Sequence, residues 1–486
     1  MGIRANILQR YAQSKVTWLL IVFFIVRIAS LATYQHSIWN QSIGAVLVIG
    51  FACIAYRSYK LAWIMLLGEL LLGGSGKLFE LFSFGIRTWY LGILAIAWIR
   101  FHITQKTLPW KSLSRNQLIG IGLFAFVIAW SMFTGLRQSH EPILILQDAI
   151  LYGFFFLLFP ALDWKQEIQK TILPFFQAHI AGSAVFSLVT LCIYSSGIGS
   201  LPDTYYHWFR NVVGGKITDL GSHFFRIVIS EHILIVPIIL ILLALLLFTP
   251  KKKLLWGYLL LASTVLVLNF SRIYFLALAC GVLVLMVKHM WTRWVVISSA
   301  LAVSIVVLFC SLFFLASRGT SIGLELVGIK LGGATIPASE TSGAIRLAIL
   351  PDAFRQIQAH PIAGSGLGAT VTYSDLTSKE TVTRTQFDWG YLEMMVELGG
   401  IGLFVVLLLL AILLLRTIQL AYTKQYAHTG EQPMVRGFLA GAVALGVMNL
   451  TTPALFHGFG VLFFVSLIIL CETHKQKNKY LGTQRE

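Results

Sequence analysis

The chain has 486 residues, of which 57% are hydrophobic and 12% charged, with a formal net charge of +17. A water-soluble domain has too little interior to hide that apolar share, whereas a bilayer absorbs it. The basic excess invites a nucleic-acid reading. However, most of the Lys and Arg residues fall in alternate connections between apolar runs, the pattern of membrane topology and of contact with anionic lipid.

Fourteen apolar runs follow one another: 16–34, 41–56, 60–76, 79–99, 117–136, 142–160, 171–196, 224–248, 254–270, 273–288, 294–315, 389–415, 437–452 and 454–471. Most reach the roughly 17–25 residues with which a helix crosses about 30 Å of hydrocarbon. The second, tenth and thirteenth are short, so about 12–14 transmembrane helices are expected. Unpaired backbone in lipid is costly and the runs lack the alternation of barrel strands, so an all-α integral membrane protein is expected. Arg4, Arg10 and Lys15 precede the first run, whose length makes it a signal anchor rather than a cleaved leader. Cys53, Cys192, Cys280, Cys310 and Cys471 all fall within or at the ends of runs, which suggests neither a disulfide framework nor a CxxC metal site.

The organisation expected is one polytopic membrane domain over 1–486, with a large loop at 318–387 and a short, polar, disordered tail at 472–486. Lys251, Lys252, Lys253, Lys475, Lys477 and Lys479 lie on the lysine-rich side, which is therefore expected to be cytoplasmic together with both termini. The loops 197–223 and 318–387 then face outward.

Ionisable residues within spans are expensive and usually have a role. Glu69 and Arg87, in neighbouring antiparallel runs, are expected to neutralise each other. Several others lie near the outer ends of their runs: Arg137, Asp148, Arg226, Glu231, His232, Arg272 and Asp388. Each alone reads equally well as a side chain reaching back to water; together they suggest an outward-opening polar cavity. Arg272 is the sharpest candidate. N-F-S-R joins two apolar runs with almost no loop, and a planar fork of donors suits phosphate oxygens, although an interfacial anchor arginine is common.

In the long loop, residues 341–359 have helical spacing, with Ile345, Ile349, Ala353, Phe354 and Ile357 on one apolar face. A helix lying on the membrane surface is expected, turned or kinked at Pro351. The following G-S-G-L-G has neither the strand nor the spacing of a dinucleotide fingerprint, and a plain flexible turn outweighs a phosphate nest. The twelfth run carries Asp388, Glu393 and Glu397. Glu393 and Glu397, four apart, share one helical face. For Glu397 a buried structural hydrogen bond to a neighbouring helix outweighs catalysis. Gly399, Gly400 and Gly402 would admit a closely packed helix.

The order S-R, then R-L-A-I-L…H-P-I-A-G-S-G-L-G, then Y-L-E…E-L-G-G-I-G-L resembles the O-antigen ligase and polymerase superfamily over residues 269–405. The resemblance implies a fold like the multi-spanning C-type glycosyltransferases, in a bacterial inner membrane. It implies glycan transfer at the periplasmic face from an undecaprenyl-diphosphate-linked donor, with no cofactor and no metal. The acceptor would be a growing glycan or the lipid A core. Polysaccharide-export partners would be further contacts, and nucleic acid would not. Arg272 and Arg346, with Arg226, would contact the donor diphosphate. The ligases carry a histidine where this chain has Asp388, which resembles the polymerases instead. The candidate bases are therefore Asp388, Glu393 and His360. Polymerisation of repeat units is the leading expectation, ligation the alternative. A bicarbonate-type anion pathway and a non-catalytic export partner are the competing classes.

Overall fold

The computed structural model describes residues 2–107, 115–197, 201–250, 252–286, 290–335, 341–374, 380–385, 387–422 and 432–483. Lys251 lies outside these, and the side chains of Lys475, Lys477 and Lys479 are likewise outside the described set.

The chain is an all-α membrane protein. It opens with α1 (Gly2–Thr33), α2 (Ser37–Arg57) and α3 (Tyr59–Leu72), then a short hairpin of β1 (Glu80–Leu81) and β2 (Phe84–Gly85). Next come α4 (Ile86–Thr104), α5 (Arg115–Arg137), α6 (Pro142–Gly153), α7 (Leu158–Leu162) and α8 (Lys165–Ser196). The 197–223 connection holds α9 (Leu201–Asn211) and the first strand of a hairpin, β3 (Lys216–Asp219) with β4 (Phe225–Val228). There follow α10 (Ile235–Phe248), α11 (Lys253–Asn269), α12 (Arg272–Val284) and α13 (Trp291–Ala316). The long loop contains α14 (Leu324–Thr335), α15 (Thr341–Ala359) and a third hairpin, β5 (Val371–Ser374) with β6 (Thr381–Arg384). The chain closes with α16 (Gly390–Tyr422), α17 (Gln432–Met448) and α18 (Gly458–Thr483).

Among the described residues, 8 segments are helical, long and apolar enough to cross a membrane, and four apolar helices are shorter. The run expected at 224–248 begins later, because 225–228 is strand and Ser230–Leu234 a 3₁₀ turn. The backbone of α18 continues as helix to Thr483, where a disordered tail was expected from 472.

Helix α10 (IVPIILILLALLLF) is apolar on every side and is buried from Ile235 to Leu247 except at the half-buried Ile241 and Leu245, so it forms the centre rather than the lipid face. Against it packs α17, whose Gly437 and Gly441 stand four apart. A Cβ on Gly437 would lie 2.6 Å from the Ile241 Cα, and one on Gly441 3.2 Å from the Pro237 Cα. Small residues at helical spacing let two backbones meet, which replaces the hydrophobic drive that lipid removes. The outer helices instead present Ile49, Phe126, Val306 and Ile412 outward, as lipid contact requires.

Two buried ion pairs lie inside this core. Arg87 Nε lies 2.9 Å from Glu69 Oε2, as expected. Arg27 Nη2 lies 2.6 Å from Glu231 Oε1, with the guanidinium carbon 3.5 Å from the Phe23 ring centroid. Glu231 and His232 are therefore buried in protein and do not line an open outer cavity. Removing one partner of such a pair typically costs roughly 3–5 kcal/mol, because it strands the other charge.

Candidate functional site

Two loop systems meet at one end of the molecule. In the β3–β4 hairpin Lys216 pairs with Val228 and Thr218 with Arg226. Positions two apart on a strand share a face, so Lys216 and Arg226 are diagonal neighbours on one side of the ribbon. Arg226 Nε donates to the Asn269 carbonyl at 2.7 Å, which ties the hairpin to the end of α11. Asn269 is held in turn by the contact of its Nδ2 with His232 Nδ1, 3.1 Å apart. Beyond Asn269 the chain turns sharply. Phe270 is left-handed and Ser271 is the N-cap residue, so Arg272 begins α12 directly. Arg226 and Arg272 thus stand at the same junction.

The second system brings Asp388. It has a φ of +54°, an uncommon conformation for a side-chain-bearing residue. Its neighbours fix it. Phe387 is fully buried, and its N–H donates to Glu393 Oε2 at 3.2 Å. The Trp389 indole donates to the Arg346 carbonyl at 3.2 Å, joining α15 to the mouth of α16. Asp388 lies within electrostatic range of Lys216, together with Arg226, Arg210 and Arg384. Lys216 is exposed overall, yet its ammonium is held below the ordinary lysine pKa. Desolvation is the main cause; Arg226, Arg210 and Arg384 add to it, and Asp388 opposes it.

Of the six side chains singled out from the sequence, Arg226 and Asp388 both lie within electrostatic range of Lys216, and Arg272 begins α12 at the junction that Arg226 ties down. Glu393 accepts the N–H of Phe387 next to Asp388, and Arg346 is joined to this region through its backbone carbonyl. His360 lies elsewhere. It follows α15, 14 residues past Arg346, hence about 21 Å further along that helix direction. Its Nε2 lies 3.4 Å from Gln138 Nε2. Lys216, Arg210 and Arg384 were missed by sequence reading. The only trace was the alternation in K-I-T-D and F-R-I-V, a strand pattern hidden between apolar runs.

Behind Asp388, α16 is broken. Gly399 has a φ of +68° and a ψ of −178°, which frees carbonyls before the break and N–H groups after it. The 361–368 segment pairs with four of them. Ser365 and Gly366 donate to the carbonyls of Val396 and Glu397 at 2.7 and 3.1 Å, while Gly400 and Ile401 donate to Pro361 and Ile362 at 2.9 and 3.3 Å. Ser131 Oγ donates a further bond to Glu397 O at 2.8 Å, and Gly368 N–H donates to Asp148 at 2.9 Å. The glycine cluster is thus a buried lock between α5, α6 and α16, neither a flexible turn nor a phosphate nest. At Gly399 and Gly400 it is this loop, not a helix, that comes close; at Gly402 it is Val127 of α5. Asp148 and Glu397 meet side chain to side chain beneath the loop.

Helix α15 forms where its spacing put it, with Pro351 inside it. Its apolar face, however, is covered by protein rather than by membrane. Ile349 and Ala353 are fully buried against Val371, Tyr373, Phe387 and Val396, while Phe354 faces out.

The fold and this site define a multi-pass membrane protein with a cationic, carboxylate-bearing centre built from two loops at one membrane face. Residues 257–407, from α11 to the middle of α16, match the family model described as O-antigen ligase, a match that supports the O-antigen ligase and polymerase superfamily. That family consists of glycosyltransferase-like membrane enzymes acting in polysaccharide biosynthesis. No curated protein matches the chain.

Proposed function

We propose that the protein transfers glycan from an undecaprenyl-diphosphate-linked donor to a sugar hydroxyl, most simply to lengthen a polysaccharide, at the periplasmic face of a bacterial inner membrane. The observation that carries this reading is the clustering of Arg226, Arg210, Arg384 and Asp388 around Lys216, with the Arg346 carbonyl bonded to the indole of Trp389, the residue after Asp388. A diphosphate leaving group carries several negative charges, and fixed cations stabilise what develops as its bond to carbon breaks. Arg346 Nε is buried with no hydrogen-bond partner among the described residues, a donor that an anionic ligand would satisfy.

In the step proposed, Asp388 accepts the proton of the acceptor hydroxyl. The freed oxygen attacks the anomeric carbon, and the carbon–oxygen bond to the diphosphate breaks with its electron pair going to phosphate. Direct displacement inverts the anomeric centre. Glu393 is less suited as the base, since it accepts the Phe387 N–H at the start of its own helix. His360 stands apart from the cations, which supports polymerisation over the histidine-dependent ligase reading. The deeper ionisable residues Arg27, Glu231, Glu69 and Arg87 are tied in pairs, which argues against an anion pathway through the membrane.

The test is glycan transfer by Asp388→Asn and Arg272→Lys proteins that accumulate normally in the membrane. Asparagine keeps the shape and loses the basicity, and lysine keeps the charge and loses the bidentate fork. Both are expected to fall to a few per cent of activity or less, in line with the roughly 10²–10⁴-fold contribution of a positioned base. A fully active Asp388→Asn alongside an inactive His360→Gln would move the base into the loop and restore the ligase reading.

A further inference from the structure

At the membrane end away from this site, α5, the α6–α7 segment, α16 and α18 surround a cavity of about 930 Å³. Its volume falls among those that hold small ligands. The body is apolar, lined by side chains such as Phe124, Leu413 and Phe456, and the far end is polar, with Gln117, Arg416 and Gln419. From Val406 to Gln419 the axis of α16 advances about 20 Å. Half the hydrocarbon core is roughly 15 Å thick. The cavity therefore reaches from one interface to the middle of the bilayer, the space of one acyl chain. Interiors close-pack, and an apolar space of this size beside lipid is filled by hydrocarbon rather than water.

The charged side chain lining the polar end is Arg416, and Glu472 stands directly behind it, outside the lining. Arg416 Nη2 lies 2.6 Å from Glu472 Oε1; the arginine is one-third exposed and the glutamate nearly buried. Gln117 Nε2 donates to the same carboxylate at 2.7 Å. An anionic headgroup that took Arg416 would leave Glu472 facing it without compensation. A polyprenyl diphosphate, with more negative charge, fits worse. A headgroup with phosphate and ammonium side by side matches both partners.

We propose that this cavity binds a zwitterionic aminophospholipid from the leaflet opposite the candidate site, with its phosphate on Arg416, its ammonium turned toward Glu472 behind it and an acyl chain along α16. The proposal stands apart from the glycan-transfer reading, because none of these residues touches that site.

The experiment is native mass spectrometry of the full chain in mild detergent, with bound lipid identified and then exchanged against phosphatidylethanolamine or phosphatidylglycerol. One phosphatidylethanolamine per protein is expected. Leu413→Trp, which fills the cavity, should lower its retention roughly tenfold, about 1.4 kcal/mol of affinity. Gly120→Val is the gentler version, since a Cβ there meets only the Leu409 Cδ2 at 3.2 Å. Glu472→Gln should keep lipid but lose the preference over phosphatidylglycerol. Retention unchanged in both filled variants would overturn the site. So would a wild-type protein that holds phosphatidylglycerol or a polyprenyl phosphate instead.

Discussion

At the scale of the residue, the least expected member of the centre is Lys216. Partial desolvation, reinforced by three arginines, holds its ammonium below the ordinary lysine pKa, against the pull of Asp388. Without ligand, the unfolded chain then binds more protons than the folded one between the lowered pKa and the ordinary value of about 10.4, so Lys216 makes stability rise with pH across that window. Anion binding runs the other way, because only the charged ammonium grips phosphate. Affinity for inorganic pyrophosphate should be full below the lowered pKa and fall as pH rises through it. Lys216→Arg should flatten that fall, since guanidinium stays charged throughout. Comparing the two proteins cancels the titration of pyrophosphate itself. Parallel curves would remove Lys216 from the anion site.

At the scale of the element, the broken helix α16 and its loop form one unit. Each supplies the hydrogen bonds the other lacks, so the mouth of α16, with Asp388 and Glu393, is fixed to α5 and α6. Gly364 shows how little room there is. Its φ is +75°, and an added Cβ would lie 2.5 Å from both the Glu397 O and the Gly399 N, backbone atoms that cannot step aside. Gly197 has a similar φ of +63° with nothing within 4 Å. Gly197→Ala should therefore cost only the left-handed conformation, about 1–2 kcal/mol. Gly364→Ala should cost considerably more, read as a lower unfolding temperature and as faster protease cleavage near His360. Equal behaviour of the two variants would mean that the loop is not locked.

At the scale of the whole molecule, the hairpin face and the long loop share one end, and Lys252 and Lys253 begin α11 at the other. The lysine-rich end is the cytoplasmic one if the charge rule holds. A reporter active only in the cytoplasm should then be silent when fused near Lys330 and active when fused after Thr483. Activity at Lys330 would invert the protein and put the cationic centre out of reach of periplasmic glycans.

The sequence by itself determined the class. Apolar runs of spanning length leave helices as the only solution in lipid, and α15 and the Glu69–Arg87 pair follow from spacing and charge alone. The motif order from Asn269 to Gly402 also pointed to the family, because local segments keep their residues in register wherever they pack. What only the tertiary structure decided are the partners between distant segments. Arg27 meets Glu231 across 204 positions and Ser131 meets Glu397 across 266. Lys216 faces Asp388 from a hairpin that no span pattern reveals. The glycine cluster reads as a loose turn until the broken helix it satisfies is placed beside it. Hydropathy records whether a segment enters the bilayer, which is a property of that segment. Which orphaned carbonyl or charge it will satisfy there belongs to the pair, and only the folded packing brings the pair together.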